Sequence, residues 1–388
     1  MRKRVLSRWS FRILLVSQSR QRARAACFRT VLLVPGLYLF SGFAVGATCQ
    51  LLRVAELPVE SQYGLILTRG EIDGHPALIA LDTGAQVSSV WRPSVERLGL
   101  HVVTGPRMRL YGAVGGETRV DSTVIKTLRL DKYESHNLRL IVAGDLSANF
   151  DFLLGADFLT GTSIEFDLKH NVVRMLDIRD CKSDQLPYWS KTYSMVDLIA
   201  SPRAARKYEI PVLLNGHPFR AQLDSGASAS IVSTGAAKSA GAREADNSSG
   251  QLKGVGSHTL DTWLGLFDTF SIGDETIRNP HIRVAQLGKH TTAVHIGSRL
   301  AEPELDIETP TMVLGADFLR AHHVLIDNGA RKMVFTYEGG PVFVTVEAAS
   351  PPPSPSTAER APPARTPAEP DPAAGTDSSR EPHATTER

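Results

Sequence analysis

The chain repeats itself in fixed register, and that constrains its fold more than any composition does. Leu81-Asp82-Thr83-Gly84-Ala85 returns as Leu223-Asp224-Ser225-Gly226-Ala227, 142 positions later. At the same offset Gly74-His75-Pro76 matches Gly216-His217-Pro218, Gly112 matches Gly254, and Asn137 matches Asn279. Leu154-Gly155-Ala156-Asp157-Phe158-Leu159 then returns as Leu314-Gly315-Ala316-Asp317-Phe318-Leu319 at an offset of 160, which persists to Asp167 and Asp327. A long self-match means two copies of one structural unit. The change of offset assigns 18 extra residues to the second copy, between Ala285 and Leu314 and mainly in the polar stretch Gly288 to Glu308.

The copies define two lobes, Val54 to Ile178 and Tyr208 to Glu347, joined by a polar connector of 29 residues, Arg179 to Lys207. A chain of 388 residues is long enough for two such cores. Both lobes read as short strands and turns, so the expected class is all-β. Asp73-Gly74 and Asn215-Gly216 are dipeptides suited to two-residue hairpin turns. Each turn feeds an apolar strand that ends at Asp82 or Asp224. Short helices are expected after Pro93 and Ser233, and at each Gly-Ala-Asp-Phe-Leu.

The termini read differently. Arg20, Arg22, Arg24 and Arg29 precede 18 uncharged residues, Thr30 to Ala47, that end in small side chains. This pattern predicts a signal peptide over 1–47, cut after Ala47, with an uncleaved membrane anchor as the alternative. The expected location is therefore periplasmic or secreted, with membrane contact only through that segment. Cys27 would leave with it. Cys49 and Cys181 remain, and in an oxidising compartment they are expected to form a disulfide, the alternative being two buried thiols. A net charge of +2, with arginines crowded at the N-terminus, gives no case for a nucleic-acid partner. From Ser350 the chain turns to Pro, Ala, Ser and Thr, a composition expected to be disordered over 350–388.

Two carboxylates held in one site cannot both ionise at modest pH, so they share a proton and titrate as a pair. The ionised member can take a proton from water while the protonated member donates to a developing oxyanion. That chemistry requires no metal and no cofactor. The neighbours suit it. Gly84 and Gly226 permit close backbone approach, Thr83 and Ser225 offer hydroxyls to brace one loop on the other, and Ala85 and Ala227 keep the floor small. Thirty residues after each aspartate lie glycine-rich segments, Gly112 to Gly116 and Gly254 to Gly256. They suit a mobile cover, with Tyr111 before one tip and Lys253 before the other.

On these residues the chain resembles the bacterial retropepsin-like aspartyl proteases that carry two such domains in one chain. The resemblance runs from Tyr63 to Phe335. It rests on three motifs per lobe: hydrophobic-Asp-Thr/Ser-Gly-Ala, the glycine-rich flap, and Leu153-Leu154-Gly155 or Val313-Leu314-Gly315. It implies two lobes related by pseudo-twofold symmetry, with the active site at their interface. Asp82 and Asp224 would be the catalytic dyad of an endopeptidase acting on peptides or proteins. Tyr111, Gly112, Gly115, Gly254 and Gly256 would form flaps over the substrate. The strand of each third motif would thread beneath its aspartate loop. A monomer with intrachain lobe pairing is expected. Ala156 and Ala316 stand where retroviral enzymes often carry Arg. A peptide-binding module that keeps the fold without catalysis is the alternative function.

Asp157 and Asp317 begin short helices, where a carboxylate favours the helix dipole, and are assigned structural roles. His290, His295, His322 and His323 lack convincing metal-ligand spacing and read as surface or packing residues. Ser88, Ser89, Ser228 and Ser230 have no triad context and are expected to bond within their loops.

Overall fold

The computed structural model describes residues 48–62, 64–104, 109–110, 118–119, 121–143, 150–199, 208–246, 248–253, 259–287 and 310–343. The segment 1–47, the flap positions Tyr111, Gly112, Gly115, Gly254 and Gly256, the insertion 288–308, the tail 350–388, His290 and His295 lie outside the described residues. Among the described residues the chain is mostly strand, in a 13-stranded sheet, a 10-stranded sheet and a two-stranded ladder. The fold is all-β, as the turn spacing indicated.

Each copy delivers its aspartate from a hairpin. Leu65–Ile72 pairs antiparallel with His75–Leu81, and Glu209–Leu214 with His217–Leu223. The turns between them place Asp73 and Gly74 at φ 49 and 82, and Asn215 and Gly216 at φ 49 and 78. Two consecutive left-handed residues give the turn whose twist matches the flanking strands, and Asp-Gly and Asn-Gly adopt it at least cost. The second strand of each hairpin buries its last apolar residues, Ile79 and Leu81 in one copy, Ala221 and Leu223 in the other.

A short strand then threads beside each aspartate. Phe152–Leu154 runs parallel to His75–Leu81 and antiparallel to Ser89–Trp91, with Leu154 opposite Leu81. Met312–Leu314 does the same between His217–Leu223 and Ile231–Ser233, with Leu314 opposite Leu223. All six residues of the two threading strands are buried, which is why both read as uninterrupted apolar runs. The backbone N–H of Asp82 donates to the Leu154 carbonyl at 3.0 Å, and that of Asp224 to the Leu314 carbonyl at 2.9 Å. Each aspartate is therefore pinned at its own backbone.

The copies join through equivalent strands. Ser163–Asp167 pairs antiparallel with His322–Asp327, and Glu165 faces Leu325, its own counterpart at the offset of 160. The connector contributes a strand to the same sheet, Ser194–Asp197 beside Lys332–Tyr337. Buried apolar residues of both copies form one connected core.

The N-terminal strand Gln50–Gln62 begins before the expected boundary at Val54 and pairs with both Val172–Arg179 and Leu65–Ile72. Cys49 and Cys181 are disulfide-bonded across 132 residues, just beyond the paired Gln50 and Arg179. Closing a loop of that size restricts the unfolded chain by ~4–5 kcal/mol on chain-entropy grounds.

Candidate active site

The two aspartate loops meet and lock. The Thr83 backbone N–H donates to Ser225 Oγ at 3.0 Å, and the Ser225 N–H donates to Thr83 Oγ1 at 2.9 Å. Thr83 Oγ1 donates to the Leu223 carbonyl at 2.8 Å, and Ser225 Oγ to the Leu81 carbonyl at 2.7 Å. Thr83 and Ser225 are 1% and 0% exposed, so these four bonds lie out of water. As whole residues Asp82 and Asp224 keep partial exposure.

Both carboxyls sit in the same kind of cradle. Asp82 Oδ1 accepts the N–H groups of Gly84 and Ala85, each at 2.9 Å, and Asp224 Oδ1 accepts those of Gly226 and Ala227 at 3.0 and 3.1 Å. The glycines work crosswise as well. A Cβ on Gly84 would stand 2.2–2.4 Å from the carboxyl atoms of Asp224, and one on Gly226 would stand 2.4–2.7 Å from those of Asp82. Each glycine is the floor under the other copy's carboxyl. The two carboxyls thus face one shared floor, each against the other copy's loop.

Ser88 and Ser230 brace these loops from behind, and here the structure corrects the sequence reading. They do not bond within their own loops. Ser88 Oγ donates to Asp157 Oδ1 at 2.7 Å and accepts the Gly155 N–H at 3.0 Å. Ser230 Oγ donates to Asp317 Oδ1 at 2.7 Å and accepts the Gly315 N–H at 2.9 Å. The backbone N–H groups of Ser88 and Ser230 donate to the same two carboxylates. Asp157 and Asp317 are structural as expected, but by clamping the segment after each aspartate loop more than by answering a helix dipole. Ala85 and Ala227 add a bond each through their carbonyls, accepting the Ala156 and Ala316 N–H groups at 2.7 Å. Of the other two serines, Ser89 is buried in its strand and Ser228 packs against Gly64 of the first hairpin.

The aspartyl protease family profile matches this chain twice, over residues 68–158 and again over 210–318. The chain belongs to the aspartyl protease family. Comparison with curated proteins returns no match. Each matched region lies within one of the two copies read from the repeat, and each contains one aspartate loop and one threading strand.

Electrostatics suit a protease pair. Burial pushes the Asp82 carboxyl up, and the Ala85 N–H, the hydrogen bond from Asp224 and the Gly84 N–H recover part of that shift. Asp224 is held well above the ordinary carboxylate range, by burial first, then by the charge of Asp82 and the hydrogen bond between them. The pair thus keeps a proton at pH values where free carboxyls have lost theirs.

On either side of the segments expected to form flaps, strand pairing extends to the edges of the described residues. Leu110 faces Thr118 on one side, and Lys253 faces Thr259 on the other. One polar contact was not foreseen: Gln222 Nε2 donates to the Gly84 carbonyl at 2.9 Å, crossing from one copy to the other. Its signal in the sequence is a glutamine where the register places Ala80 in the first copy.

Of the histidines read as surface or packing residues, His322 and His323 are buried in the sheet that joins the copies. His322 stacks on Phe318 with ring centroids 4.0 Å apart, and His323 stacks on Trp189 at 4.0 Å. His323 Nε2 lies 2.7 Å from Glu165 Oε1, which brings His323, Glu165 and Asp167 together. Sequence spacing did not reveal that cluster. Arg174 supplies the cation between its carboxylates, donating to Glu165 at 2.8 Å and to Asp167 at 3.1 Å.

Proposed function

We propose that this protein is an aspartic endopeptidase that hydrolyses peptide bonds with a water molecule held between Asp82 and Asp224. The observation that carries the reading is the convergence of these two carboxyls within one chain, each lying against the glycine of the other copy's aspartate loop. The ionised carboxylate takes a proton from the water as its oxygen attacks the peptide carbonyl carbon. The protonated partner gives its proton to the carbonyl oxygen, producing a tetrahedral diol. The carboxyl that took the water's proton then gives it to the amide nitrogen while its ionised partner takes one from a diol hydroxyl, so the C–N bond breaks to give an amine and a carboxylic acid and the pair's single proton is back on its original side. With Oδ1 of each aspartate fixed by two N–H donors, the remaining acceptor capacity is available to the water.

The substrate class is a peptide or protein, and the working unit is a monomer whose copies pair within the chain. The reciprocal bonds of Thr83 and Ser225 support that pairing. Export to the periplasm or beyond is supported by the arginine-then-apolar N-terminus and by the Cys49–Cys181 disulfide.

The test is digestion of an unfolded protein by the purified chain across acidic and neutral pH, with and without a hydroxyl-bearing analogue of the tetrahedral state. Cleavage suppressed by the analogue is expected, because such compounds bind what the pair is built to hold. Tight peptide binding with no turnover at any pH would contradict the reading and favour a binding module.

A further inference from the structure

Gln222 stands two residues before Asp224, and its side chain leaves its own strand to reach the other copy's loop. It is 8% exposed. A carbonyl oxygen only accepts, so the amide's NH2 end must be the one that faces Gly84. The peptide unit whose oxygen Gln222 engages is the one whose N–H belongs to Ala85. That N–H donates to Asp82 Oδ1 at 2.9 Å. A donor placed on the C=O end of a peptide polarises it and strengthens the hydrogen bond made by its N–H end. Gln222 therefore acts on Asp82 through a single peptide group.

The other half of the site has no such device from the matching position. The residue 142 places before Gln222 is Ala80, whose methyl group cannot donate. The rest of the two cradles corresponds closely, with two N–H donors on each Oδ1 and a reciprocal hydroxyl brace. The titratable group that faces Asp82 is Asp224, and the reverse holds. Asp157 and Asp317 are turned to Ser88 and Ser230. Arg320, on the helix after Gly315, donates to the Gly64 carbonyl at 2.6 Å and to Ser61 at 3.2 Å. The threading strands beneath the loops are apolar.

We infer that Gln222 is a positioning residue that makes Asp82 the charged member of the pair and Asp224 the proton carrier, by polarising the Gly84–Ala85 peptide. Its consequence for catalysis rests on the peptidase reading: water is deprotonated by Asp82 and the carbonyl oxygen is protonated by Asp224. The charge assignment itself needs no substrate.

The test follows the carboxyl carbons of the full chain, labelled with carbon-13 at aspartate Cγ, by NMR from strongly acidic to neutral pH. The Asp82 and Asp224 signals are identified by their loss in Asp82→Asn and Asp224→Asn. In the unsubstituted chain Asp82 should ionise first. In Gln222→Leu, which keeps the bulk and removes the donor, Asp82 should ionise ~0.5 pH unit higher, about threefold in its acid constant. The acidic limb of kcat/KM should move with it. An Asp82 titration unchanged in folded Gln222→Leu, or Asp224 ionising first in the unsubstituted chain, would overturn the inference. If Gln222→Leu fails to fold, the order of ionisation in the unsubstituted chain and the titration of Gln222→Met decide it. A chain that cuts no peptide would sink the peptidase reading alone, since the NMR titration still reports on Gln222.

Discussion

Thr83 and Ser225 each donate a backbone N–H to the other's hydroxyl oxygen, at 3.0 and 2.9 Å, across the boundary between the two sequence copies. Each hydroxyl then donates onward to the carbonyl of the residue that precedes the other copy's aspartate. Separating the loops would strand several buried polar groups at once, each costing ~1–3 kcal/mol. The relative position of Asp82 and Asp224 is therefore set by backbone and hydroxyl geometry. The carboxyls need not supply it.

Thr83→Val keeps the shape and removes one hydroxyl, leaving the Ser225 N–H and the Leu223 carbonyl without their partner. It should lower stability by ~2 kcal/mol or more in denaturant unfolding. It should also reduce kcat/KM, with Thr83→Ser restoring both. Full activity in a Thr83→Val chain would show that the brace does not position the pair.

Gly84→Ala places a methyl group inside contact distance of Asp224, and Gly226→Ala does the same to Asp82. Each should lower kcat by about a hundredfold or more, since displacement of a reacting group by an ångström costs that much. Circular dichroism should remain that of a folded all-β chain, because the clash is confined to the pair. Near-normal turnover in either variant would contradict the crosswise arrangement.

Much of this was legible in the residues. The fixed offset of 142 located both aspartates, both hairpin turns and both threading strands, because a repeat must place equivalent residues in equivalent backbone. What the register could not convey were contacts between the copies. Glu165 and Arg174 face each other on neighbouring strands of one copy, but His323, 158 residues from Glu165, joins them only because one strand of each copy pairs with the other. Ser88 and Asp157 are 69 residues apart and lie in different motifs, so neither motif alone announces the clamp. Gln222 escaped notice because glutamine near a strand end reads as solvent-facing until a carbonyl is found opposite it.

Stability should depend on pH in two opposite senses. Asp82 and Asp224 are raised in the folded state, so their contribution is present below the unfolded carboxylate value and is lost as pH rises through the folded pair. Replacing both by Asn should therefore raise Tm at neutral pH, with no gain at strongly acidic pH. Calorimetry at the two pH values checks this, and an equal gain at both would contradict it.

Glu165 and Asp167 run the other way. Burial pushes the Glu165 carboxyl up, but hydrogen bonds from His323 and Tyr188 and the charge of Arg174 outweigh it and hold it below the usual range. Burial likewise raises Asp167, and His170 and Arg174 pull it below. Their stabilisation is present above the unfolded carboxylate value and is lost as pH falls through the depressed folded values. Arg174→Met leaves Glu165, whose side chain is 0% exposed, without its cation. It should cost ~3–5 kcal/mol at neutral pH and less in acid. A loss that does not vary with pH would show that packing, not charge, is what Arg174 provides.

The central claim is one pair of carboxyls, one from each copy, working within one chain. Its most direct test is the rate of cleavage of an unfolded protein by the unsubstituted chain, by Asp82→Asn, by Asp224→Asn, and by an equimolar mixture of the two variants. The account predicts turnover by the unsubstituted chain only, with neither variant nor their mixture active. Turnover at the unsubstituted rate by either single variant, or activity restored on mixing, would contradict it.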